Sequence, residues 1–572
     1  MSLFDFDSWS PRLASATYKL LLKRLPPKVR SSHLEDIVDV LIYSLSNGEL
    51  FFDLTSDYPN CELRQPGWPE THLKALRESG WIDGDLAPIV LSKSRLSWNR
   101  CHEDLKVVLD ELLRRSQGSK KLSSEILSID FDLPSGLNEE QARAVAAIDD
   151  HGLLLISGGP GTGKTSTIVQ IIARAITLRP DSKVVVSAPT GKAARRLQES
   201  MQKNIERLDS LQREKLYKLP CITLHRLLEA SSEGFRRNKR NPLAIDLLIV
   251  DEMSMVDLSL MSVLLMALPS KCQLVLVGDP DQLPPVGGGS IWHLLQSEAF
   301  KNYHDCSVHF HHVYRNKGAL SYLSNLLRKE GLSSFWKGII DSSQSSNFSL
   351  HNSQLNGIPS HLSSQLEAYS YQLSKLSGEL VAKQFKHDIP TIITRPDTLT
   401  IASQLFDVLD EYMVLCPRRS GVWGIDHVHQ SFLGKKFGLG VMYWPQGFPV
   451  MCCENQPEIA LANGDIGLVI GDGKRRRILF RVSIDEVGGS IILINPSRIK
   501  ALEPAMALTI HKSQGSEAKN VFVLWPEEFQ VAQSQINTSK NTNQEYEMRL
   551  LYTAITRASD HVDLFMPIGK DG

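Results

Sequence analysis

The chain has 572 residues, of which 42% are hydrophobic and 22% charged, and its net charge is −1. This length predicts about four domain-sized units, and the charge balance excludes a uniformly basic nucleic-acid coat and an acidic disordered protein. The eight cysteines include no C-x-x-C pair, which argues against a zinc ribbon, an iron–sulfur cluster and a disulfide scaffold. We therefore expect reduced thiols in a cytoplasmic protein.

Neither a signal peptide nor a membrane span is predicted. Residues Met1 to Arg12 carry acids early and lack a basic stretch followed by an apolar one. The longest apolar run, roughly 258–269, is too short to cross a bilayer. We therefore expect no contact with a membrane.

The first part of the chain predicts helices and a linker. Residues 1–115 have apolar side chains at helical spacing and no chemical motif, which indicates a helical docking domain. Residues 116–135 are rich in Ser, Lys and Asp and contain Pro134, as is typical of a linker. A second zone at 331–378 is dense in Ser, Asn and Gln, and we interpret it as a surface insertion or connector.

Short continuous apolar runs follow the linker, with helical stretches between them. The runs are 153–156, 184–186, 247–250 and 274–277, and later 412–415, 521–524 and 562–565. Strands buried on both faces have this pattern. It predicts a first α/β domain over 136–330 and a second over 379–572, each with a mostly parallel sheet. Short β segments with Gly-Asp and Gly-Gly turns predict a small barrel inserted at about 430–505.

The strongest local signal is LLLISGGPGTGKTST at 153–167, which matches G-x-x-x-x-G-K-[ST]. Glycines let backbone amides face phosphate oxygens, and the following helix offers its positive end to the same anion. We expect Lys164 to reach the β- and γ-phosphates of ATP and the Thr165 hydroxyl to bind Mg²⁺. The predicted nucleotide-binding residues of the loop are Gly158, Gly159, Pro160, Gly161, Thr162, Gly163, Lys164, Thr165 and Ser166.

Two acids close the next informative strand. In LLIVDEMSMVD, Asp251 would hold Mg²⁺ and Glu252 would act as general base on the attacking water. An apolar run that ends in two acids is a weak signal alone. After a phosphate loop, and before a strand that ends in Asp279, it favours ATP hydrolysis.

Several segments resemble the motifs of superfamily 1 helicases. They are APTGKAARRL (188–197), VDEMSMVD (250–257), VGDPDQLPPVGGG (277–289), HHVYRNKG (311–318), LTIHKSQGSEAKNVFVL (508–524) and LLYTAITRA (550–558), and LNEEQARAV (137–145) is similar to the adenine-reading Q motif. ANGDIGLV (462–469) followed by HKSQGSE is typical of the RecD branch, whose helical domain residues 1–115 weakly resemble. The resemblance implies two RecA-like P-loop motor domains, a small SH3-like β-barrel in the second, and a helical N-terminal domain.

The resemblance also implies roles for individual residues. Gln141 would contact the adenine edge, and Gln282 would sense the γ-phosphate. Arg315 and Arg557 would be arginine fingers on the transferring phosphoryl group. The implied contacts to one DNA strand are polar groups suited to phosphates, namely Thr190, Lys192, His225, Asn463, Thr509, His511 and Lys512.

Some positions keep a plainer interpretation. His225 is open between a DNA contact and an ordinary packed histidine, and Arg195 and Arg196 between a functional and a solvated helix face. The basic runs at 235–243 and 473–481 are open between phosphate contacts and solvated turns. No carboxylate cluster of the two-metal nuclease type is apparent, and the E-x-K pattern at 517–519 lies inside a helicase motif.

The function implied by the resemblance is an ATP-dependent 5′→3′ single-strand DNA translocase and helicase. It would be the motor subunit of the RecBCD complex (exodeoxyribonuclease V), with RecB-like and RecC-like subunits and duplex DNA ends as partners. The complex would act in double-strand break repair by homologous recombination and in degradation of linear duplex DNA, with the nuclease on the RecB chain. One alternative is a standalone RecD-type helicase, whose usual helix-hairpin-helix elements are not seen in 1–115. Another is a docking subunit that binds ATP without separating strands.

Overall fold

The computed structural model describes most of the chain. The described residues are 10–46, 48–55, 65–84, 86–117, 136–206, 208–231, 233–285, 289–296, 306–314, 318–342, 344–384, 392–483, 489–526 and 542–568. Within these ranges, none of the helices combines the length and the apolar character needed to cross a membrane.

The N-terminal region combines helices with a small antiparallel sheet. Its elements are α1 (Ser10–Arg24), α2 (His33–Ser46), β1 (Phe52–Asp53), α3 (Glu70–Ser79), β2 (Ile89–Ser92), β3 (Arg95–Trp98) and α4 (Asn99–Ser116). The strands lie in the order β1-β3-β2, and Leu34, Trp81 and Leu96 are in the core between sheet and helices. This sheet was not predicted from the sequence, because strands of two to four residues are too short to show an alternating pattern.

Helix α4 packs against the next domain rather than only against its own. Val108 and Leu112 are buried in the same hydrophobic cluster as Leu155 and Leu248. The buried Arg115 guanidinium donates a hydrogen bond of 2.9 Å to the Pro269 carbonyl. The boundary expected at residue 115 therefore does not separate two cores.

The first α/β core surrounds a six-stranded sheet. Its elements are α5 (Glu139–Ala146), β4 (Leu153–Gly158), α6 (Lys164–Leu178), β5 (Val184–Ala188), α7 (Gly191–Ile205), α8 (Ser210–Tyr217), β6 (Cys221–Thr223), α9 (Leu224–Leu227), β7 (Ala230–Ser231), β8 (Gly234–Phe235), β9 (Leu247–Val250), α10 (Leu258–Ala267), β10 (Gln273–Gly278), α11 (Ile291–Gln296) and β11 (Ser307–Phe310). The sheet order is β11-β4-β10-β9-β5-β6, and every pair is parallel. All residues of β4, β5, β9 and β10 are buried, which confirms the parallel sheet predicted from the four apolar runs.

The second α/β core has a sheet of similar size. Its elements are α12 (Ala319–Lys329), α13 (Leu332–Ser342), β12 (Gln344–Ser345), β13 (Phe348–Ser353), α14 (Ser360–Gln384), α15 (Pro396–Leu409), β14 (Tyr412–Cys416), α16 (Ile425–Leu433), β15 (Pro449–Cys452), β16 (Ile466–Ile470), β17 (Arg477–Ser483), β18 (Gly489–Ile494), β19 (Leu502–Pro504), β20 (Ala507–Thr509), β21 (Ala518–Leu524), α17 (Thr542–Ile555) and β22 (Ala558–Pro567). The order β12-β13-β22-β21-β14-β20 is parallel except for the edge pair β12–β13.

The interpretation of 331–378 as a surface insertion or connector is wrong. Strand β13 pairs in parallel with β22 over six residue pairs, so this segment supplies a strand of the second sheet. Phe335 and Phe348 are buried in one cluster with Val521 and Leu564. Polar composition misled because most of the described Ser and Asn residues of the segment are exposed or half-buried, while a smaller set of apolar residues makes the core contacts.

Residues 449–504 form an antiparallel sheet of order β18-β17-β16-β15-β19. Its inner face shares one hydrophobic cluster with α14 and α15, including Leu373, Phe406 and Phe480. A Cβ on Gly447 would lie 2.7 Å from the backbone carbon of Leu373, so the turn before β15 needs glycine to approach α14 this closely. The predicted β segments coincide with β16, β17 and β18, whereas 425–433 is a helix. The SH3-like description stays a prediction.

The stability of the second core should depend on apolar residues of the 331–378 segment, which the sequence had suggested to lie at the surface. We expect Phe348→Ala to lower the free energy of unfolding by about 3–5 kcal/mol, because a fully buried ring leaves a cavity. Urea unfolding followed by circular dichroism measures the change. Ile340→Ala is the matched control, since this side chain is 64% exposed and should change stability little. Equal effects of the two substitutions would contradict the placement of β13 in the core.

Candidate functional site

The loop between β4 and α6 has the geometry of a phosphate cradle. Gly161 and Gly163 have φ angles of 72° and 84°, which only glycine adopts without strain. A Cβ on Gly163 would collide with Nε2 of Gln141. The Thr162 hydroxyl donates a 2.8 Å hydrogen bond to the Gly159 carbonyl and closes the turn. The loop amides thus lie at the N-terminus of α6, where the helix dipole favours an anion.

Lys164 lies across this cradle. Its Nζ donates hydrogen bonds to the carbonyls of Gly158 at 2.8 Å and Gly159 at 2.9 Å. The ammonium is therefore held above the loop, where a phosphate would meet it. Thr165 is the next residue on the first turn of α6 and is half-buried.

Gln141 joins α5 to the phosphate loop. Its side chain completes a capping box with Asn138, and its Nε2 donates a 3.2 Å hydrogen bond to the Thr162 carbonyl. Its amide thus positions the loop, a contact that the sequence did not suggest. The adenine contact expected for Gln141 stays a prediction.

Two carboxyl groups follow β9 beside the loop. Burial raises the pKa of Asp251 to about 6, and the neighbouring Glu252 carboxylate adds to this shift, while Lys164 opposes it. Glu252 has a φ of 56° and a ψ of 45°, a left-handed conformation that costs a non-glycine residue energy. This conformation turns the chain sharply at the strand end, and both carboxyl groups lie at the edge of the sheet that carries the phosphate loop.

The loop after β10 connects the two cores. Asp279 is buried, and its Oδ2 accepts hydrogen bonds from the Tyr552 hydroxyl at 3.0 Å and from Gln282 Nε2 at 3.3 Å. The Oε1 atom of Gln282 is buried and has no hydrogen-bond partner within the described part of the chain. A donor brought into the cleft would satisfy it. Because Tyr552 belongs to α17, its hydrogen bond links the second core to Asp279 of the first core.

Leu283 fixes the same loop to the second core. Its N–H donates to Thr553 Oγ1 at 3.1 Å, and its carbonyl accepts from Gln514 Nε2 at 2.9 Å. Its side chain is buried in the hydrophobic cluster of the second core. Any displacement of the second core therefore moves the residues that precede Leu283.

Arg328 is a second cation in this cleft that our sequence analysis missed. It lies on α12 of the second core, and its Nε donates to Asp281 Oδ2 at 2.6 Å. A Cβ on Gly159 would be 3.6 Å from its NH1 atom, so the guanidinium borders the phosphate loop. The nearby acids Asp281 and Asp279 contribute to raising the pKa of Arg328 against the effect of burial. An arginine in the last turn of an amphipathic helix gave no sequence signal beyond a solvated face.

Arg557 also belongs to the second core and lies close enough to Glu252 and Asp279 of the first core to interact with both electrostatically. It is 2% exposed, its Nε donates to the Thr553 carbonyl at 3.1 Å, and its NH1 donates to the Ser516 carbonyl at 3.2 Å. Burial lowers the pKa of Arg557, whereas Glu252 and Asp279 of the first core favour its charged form. Arg315, the other predicted arginine finger, lies outside the described residues.

Helix α7 makes a second contact between the cores. Arg195 pairs with Asp465 at 3.2 Å, and Arg196 pairs with Glu517. A Cβ on Gly191 would lie 2.7 Å from the Cβ of Ala462, which shows how closely the helix meets the 462–465 loop. The solvated helix face held open for both arginines is therefore wrong, because each is paired with a carboxylate of the second core.

The predicted DNA contacts fall into three groups. Thr190, Lys192 and Asn463 lie around the α7 contact, where Thr190 Oγ1 caps α7 by accepting from the Ala193 N–H at 3.2 Å. Burial lowers the pKa of Lys192 to about 8, opposed by Asp410 and Asp465. Asn463 is exposed. These contacts stay predictions.

The second group follows β20. Thr509 precedes a 3₁₀ turn over Ile510–Ser513, in which His511 Nε2 is 2.8 Å from the Tyr546 hydroxyl. Burial lowers the pKa of His511 to about 4, so the ring is neutral at physiological pH. Lys512 Nζ pairs with Glu503 at 3.0 Å. His511 therefore offers a hydrogen bond rather than a charge to a phosphate.

His225 and the basic runs form the last group. The His225 ring is exposed and lies 5.8 Å from the ring of Phe235. Arg237 of the first run pairs with Glu229 at 2.6 Å. In the second run, Arg476 is buried and donates to two backbone carbonyls at 2.7 Å each, and Arg481 pairs with Asp410. These three arginines make contacts within the fold. At these positions of the two basic runs, the alternative of a solvated turn is therefore wrong.

A phosphate loop, an acid pair at the end of another strand of the same sheet, and cations from a second parallel-sheet core define a two-core P-loop ATPase of the superfamily 1 helicase class. Family models agree with this class: an AAA domain matches residues 141–288, and a UvrD-like helicase C-terminal domain matches residues 504–564. The chain belongs to the RecD family and is an ATP-dependent DNA helicase.

Three relatives illustrate the similarity. RecBCD enzyme subunit RecD of Mycolicibacterium smegmatis is 30% identical over 557 residues, which cover 92% of this chain and 88% of that protein. The RecD subunit of Mycobacterium tuberculosis is 30% identical over 75% of this chain and 69% of its own length. The ATP-dependent RecD2 DNA helicase of Deinococcus radiodurans is 27% identical over 86% of this chain and 59% of its own length.

Arg328 should matter for ATP turnover. We expect Arg328→Gln to lower kcat for DNA-stimulated ATP hydrolysis by roughly 10- to 100-fold with a smaller change in KM, because the charge borders the phosphate loop. Steady-state ATPase assays with saturating single-stranded DNA measure both constants. Lys329→Gln removes a positive charge from the next, exposed position and should leave both unchanged. A loss shared by the two variants would count against a specific role for Arg328.

His511 should contribute no charge to DNA binding. Because its pKa is lowered to about 4, its protonation does not change between pH 5.5 and 7.5. We expect His511→Gln to weaken single-stranded DNA binding by the same factor at every pH in this range. Fluorescence anisotropy at constant ionic strength measures the affinity. A wild-type affinity that declines with a midpoint near pH 6.5, absent from His511→Gln, would show that the ring acts as a cation.

Proposed function

We propose that this chain is a 5′→3′ single-strand DNA translocase and the motor subunit of a RecBCD-type heterotrimer. The RecB-like and RecC-like partners would supply the rest of a machine for double-strand break repair by homologous recombination. The observation that carries the proposal is the match to a RecBCD subunit over nearly the full length of both chains, 92% of this one and 88% of the relative. The ATP cleft supplies the chemistry that such a motor needs.

The donors beside the phosphate loop suit a magnesium ion. Asp251 is a carboxylate removed from water, with Lys164 the cation that most favours its ionised form, and the Thr165 hydroxyl follows on α6. Hydroxyl and carboxylate oxygens are ligands that Mg²⁺ accepts, usually together with waters and phosphates. Asp251 and Thr165 would hold Mg²⁺, which neutralises charge on the β- and γ-phosphates when bound.

Hydrolysis would use groups from both cores. The Glu252 carboxylate would accept the proton of the attacking water. The unpaired Oε1 of buried Gln282 would accept a hydrogen bond from that water, so that this side chain senses the γ-phosphate through it. Lys164 would hold the phosphate chain from the first core. Arg557, with Arg315, would neutralise charge as the γ-phosphoryl group leaves.

Closure of the cleft would move the DNA contacts. The loop from Asp279 to Leu283 is bonded to α17 and to Gln514, so nucleotide-dependent changes at Gln282 are transmitted to the second core. The contacts of α7 with the 462–465 loop lie beside Thr190, Lys192 and Asn463, which are three of the predicted DNA contacts. Alternation between a closed ATP form and an open ADP form would shift these contacts along one strand.

A standalone helicase remains the second candidate. The observation that favours it is the match to the RecD2 helicase of Deinococcus radiodurans over 86% of this chain. That match covers 59% of RecD2, whereas the RecD subunit is covered more completely. A docking subunit that binds ATP without strand separation gains no support from any contact in the cleft.

The test uses the complex purified from its native host. We expect this chain to copurify with two large partners, and the holoenzyme to unwind both 5′- and 3′-tailed duplexes. Lys164→Gln in this chain should abolish unwinding that starts on the 5′-tailed strand, by at least about 100-fold, because the phosphate contact is lost.

Arg179→Gln is the control, since Arg179 lies at the far end of α6 from the phosphate loop. Unchanged 5′-tailed unwinding by the Lys164→Gln holoenzyme would contradict the polarity. If the chain purifies alone and has full helicase activity, the result would favour a standalone helicase instead.

A further inference from the structure

A cluster of histidines surrounds one carboxylate in the second core, away from the ATP cleft. His351 lies on β13, Asp563 on β22 and His361 near the start of α14. One side-chain donor atom from each of the three lies within 4.8 Å of the others. His351 Nε2 is 2.7 Å from Asp563 Oδ1, and Asp563 is 7% exposed while His361 is exposed. The cluster is thus built on rigid strands and open to solvent on one side.

A fourth histidine borders the same carboxylate. His561 Nε2 is 3.6 Å from Asp563 Oδ1 and 3.1 Å from the Ser349 hydroxyl. Its Nδ1 lies 3.3 Å from the Ser346 carbonyl, and this contact requires the proton on Nδ1. The neutral ring then carries its lone pair on Nε2, toward Asp563, and backbone carbonyls orient metal-binding histidines in this way.

The arrangement needs little change to hold an ion. Bonds of about 2.0–2.1 Å to nitrogen and oxygen require the His351–Asp563 separation to widen by roughly half an ångström. The exposed His361 side chain has room to adjust, because it lies at the surface. The rings of His351 and His361 stack with centroids 4.8 Å apart and an interplanar angle of 21°. Because an imidazole binds a metal ion in its own ring plane, the exposed His361 ring must rotate out of this stack to share an ion with His351.

We propose that His351, His361 and Asp563 form a binding site for a divalent transition metal, with zinc as the ion that suits two imidazoles and a carboxylate. His561 supports Asp563 and lies close enough to become a fourth ligand. The three ligands lie on none of the elements that form the phosphate loop. The site is therefore separate from the magnesium site proposed for ATP.

A metal here would connect three parts of the second core. It would join β13, β22 and the start of α14, which are distant in sequence. Because a ligand that binds only the folded protein stabilises it by mass action, zinc should raise the unfolding temperature. The site would act as a structural clamp on the sheet edge next to β12.

The experiment titrates ZnCl2 into the chelator-treated full-length chain without nucleotide, against a chromophoric zinc chelator. We expect one zinc ion per chain and a rise in unfolding temperature at saturation. His361→Ala should weaken zinc binding by at least tenfold without loss of fold, since the side chain is exposed. Asp563→Asn, which keeps the shape but removes the charge, should weaken it further.

His102→Ala is the matched control, because His102 lies on α4, outside the cluster, and its variant should bind zinc as the wild type does. CoCl2 in place of ZnCl2 should give visible absorption bands in the wild type that are lost in His361→Ala. Equal zinc affinity of His361→Ala and His102→Ala, or no retained zinc in the wild type, would overturn the proposal. The cluster would then be a histidine–aspartate hydrogen bond only.

Discussion

The loop between Asp279 and Leu283 is the constraint on which the rest of the molecule depends. At one end Asp279 and Gln282 face the nucleotide cleft, and at the other Leu283 is buried in the second core. The loop is only a few residues long, so it has little freedom to absorb a change in distance between the cores. This short loop thus couples the two sheets beside the phosphate loop, in addition to the contacts that α7 makes with the second core.

Charge explains why both cores are needed at that point. The carboxyl groups of Asp251 and Asp279 lie at adjacent strand ends, and burial raises the pKa of both. Lys164 and Arg196 of the first core and Arg328 of the second oppose this shift. Glu252 and Asp279 in turn favour the charged form of Arg557, which also comes from the second core. Bound ATP adds further negative charge, so the cleft favours the second core's arginines most when nucleotide is present. This attraction supports the closure of the cleft on ATP that we propose.

Sequence patterns predicted what depends on local chemistry. The phosphate loop, the acid pair and the buried parallel strands follow from residues close together in the chain, as in LLLISGGPGTGKTST. Contacts between distant segments were not predictable: Arg328 meets Asp281 across 47 positions, and β13 joins the sheet beside β22 despite its polar neighbours. Arg195 and Arg196 looked like solvated helix positions because the loops that pair with them come more than 250 residues later.

The chain passes from one core to the other beside the phosphate loop itself. The Tyr314 N–H donates to the Gly161 carbonyl at 2.8 Å, and α12 begins five residues later. Tyr314 of the first core thus lies against the phosphate loop, and α14 of the second core, with 25 residues, spans about 37 Å at the rise of an α-helix. Because α14 is buried in the hydrophobic cluster of the second core, any rotation of that core would carry the whole length of this helix with it.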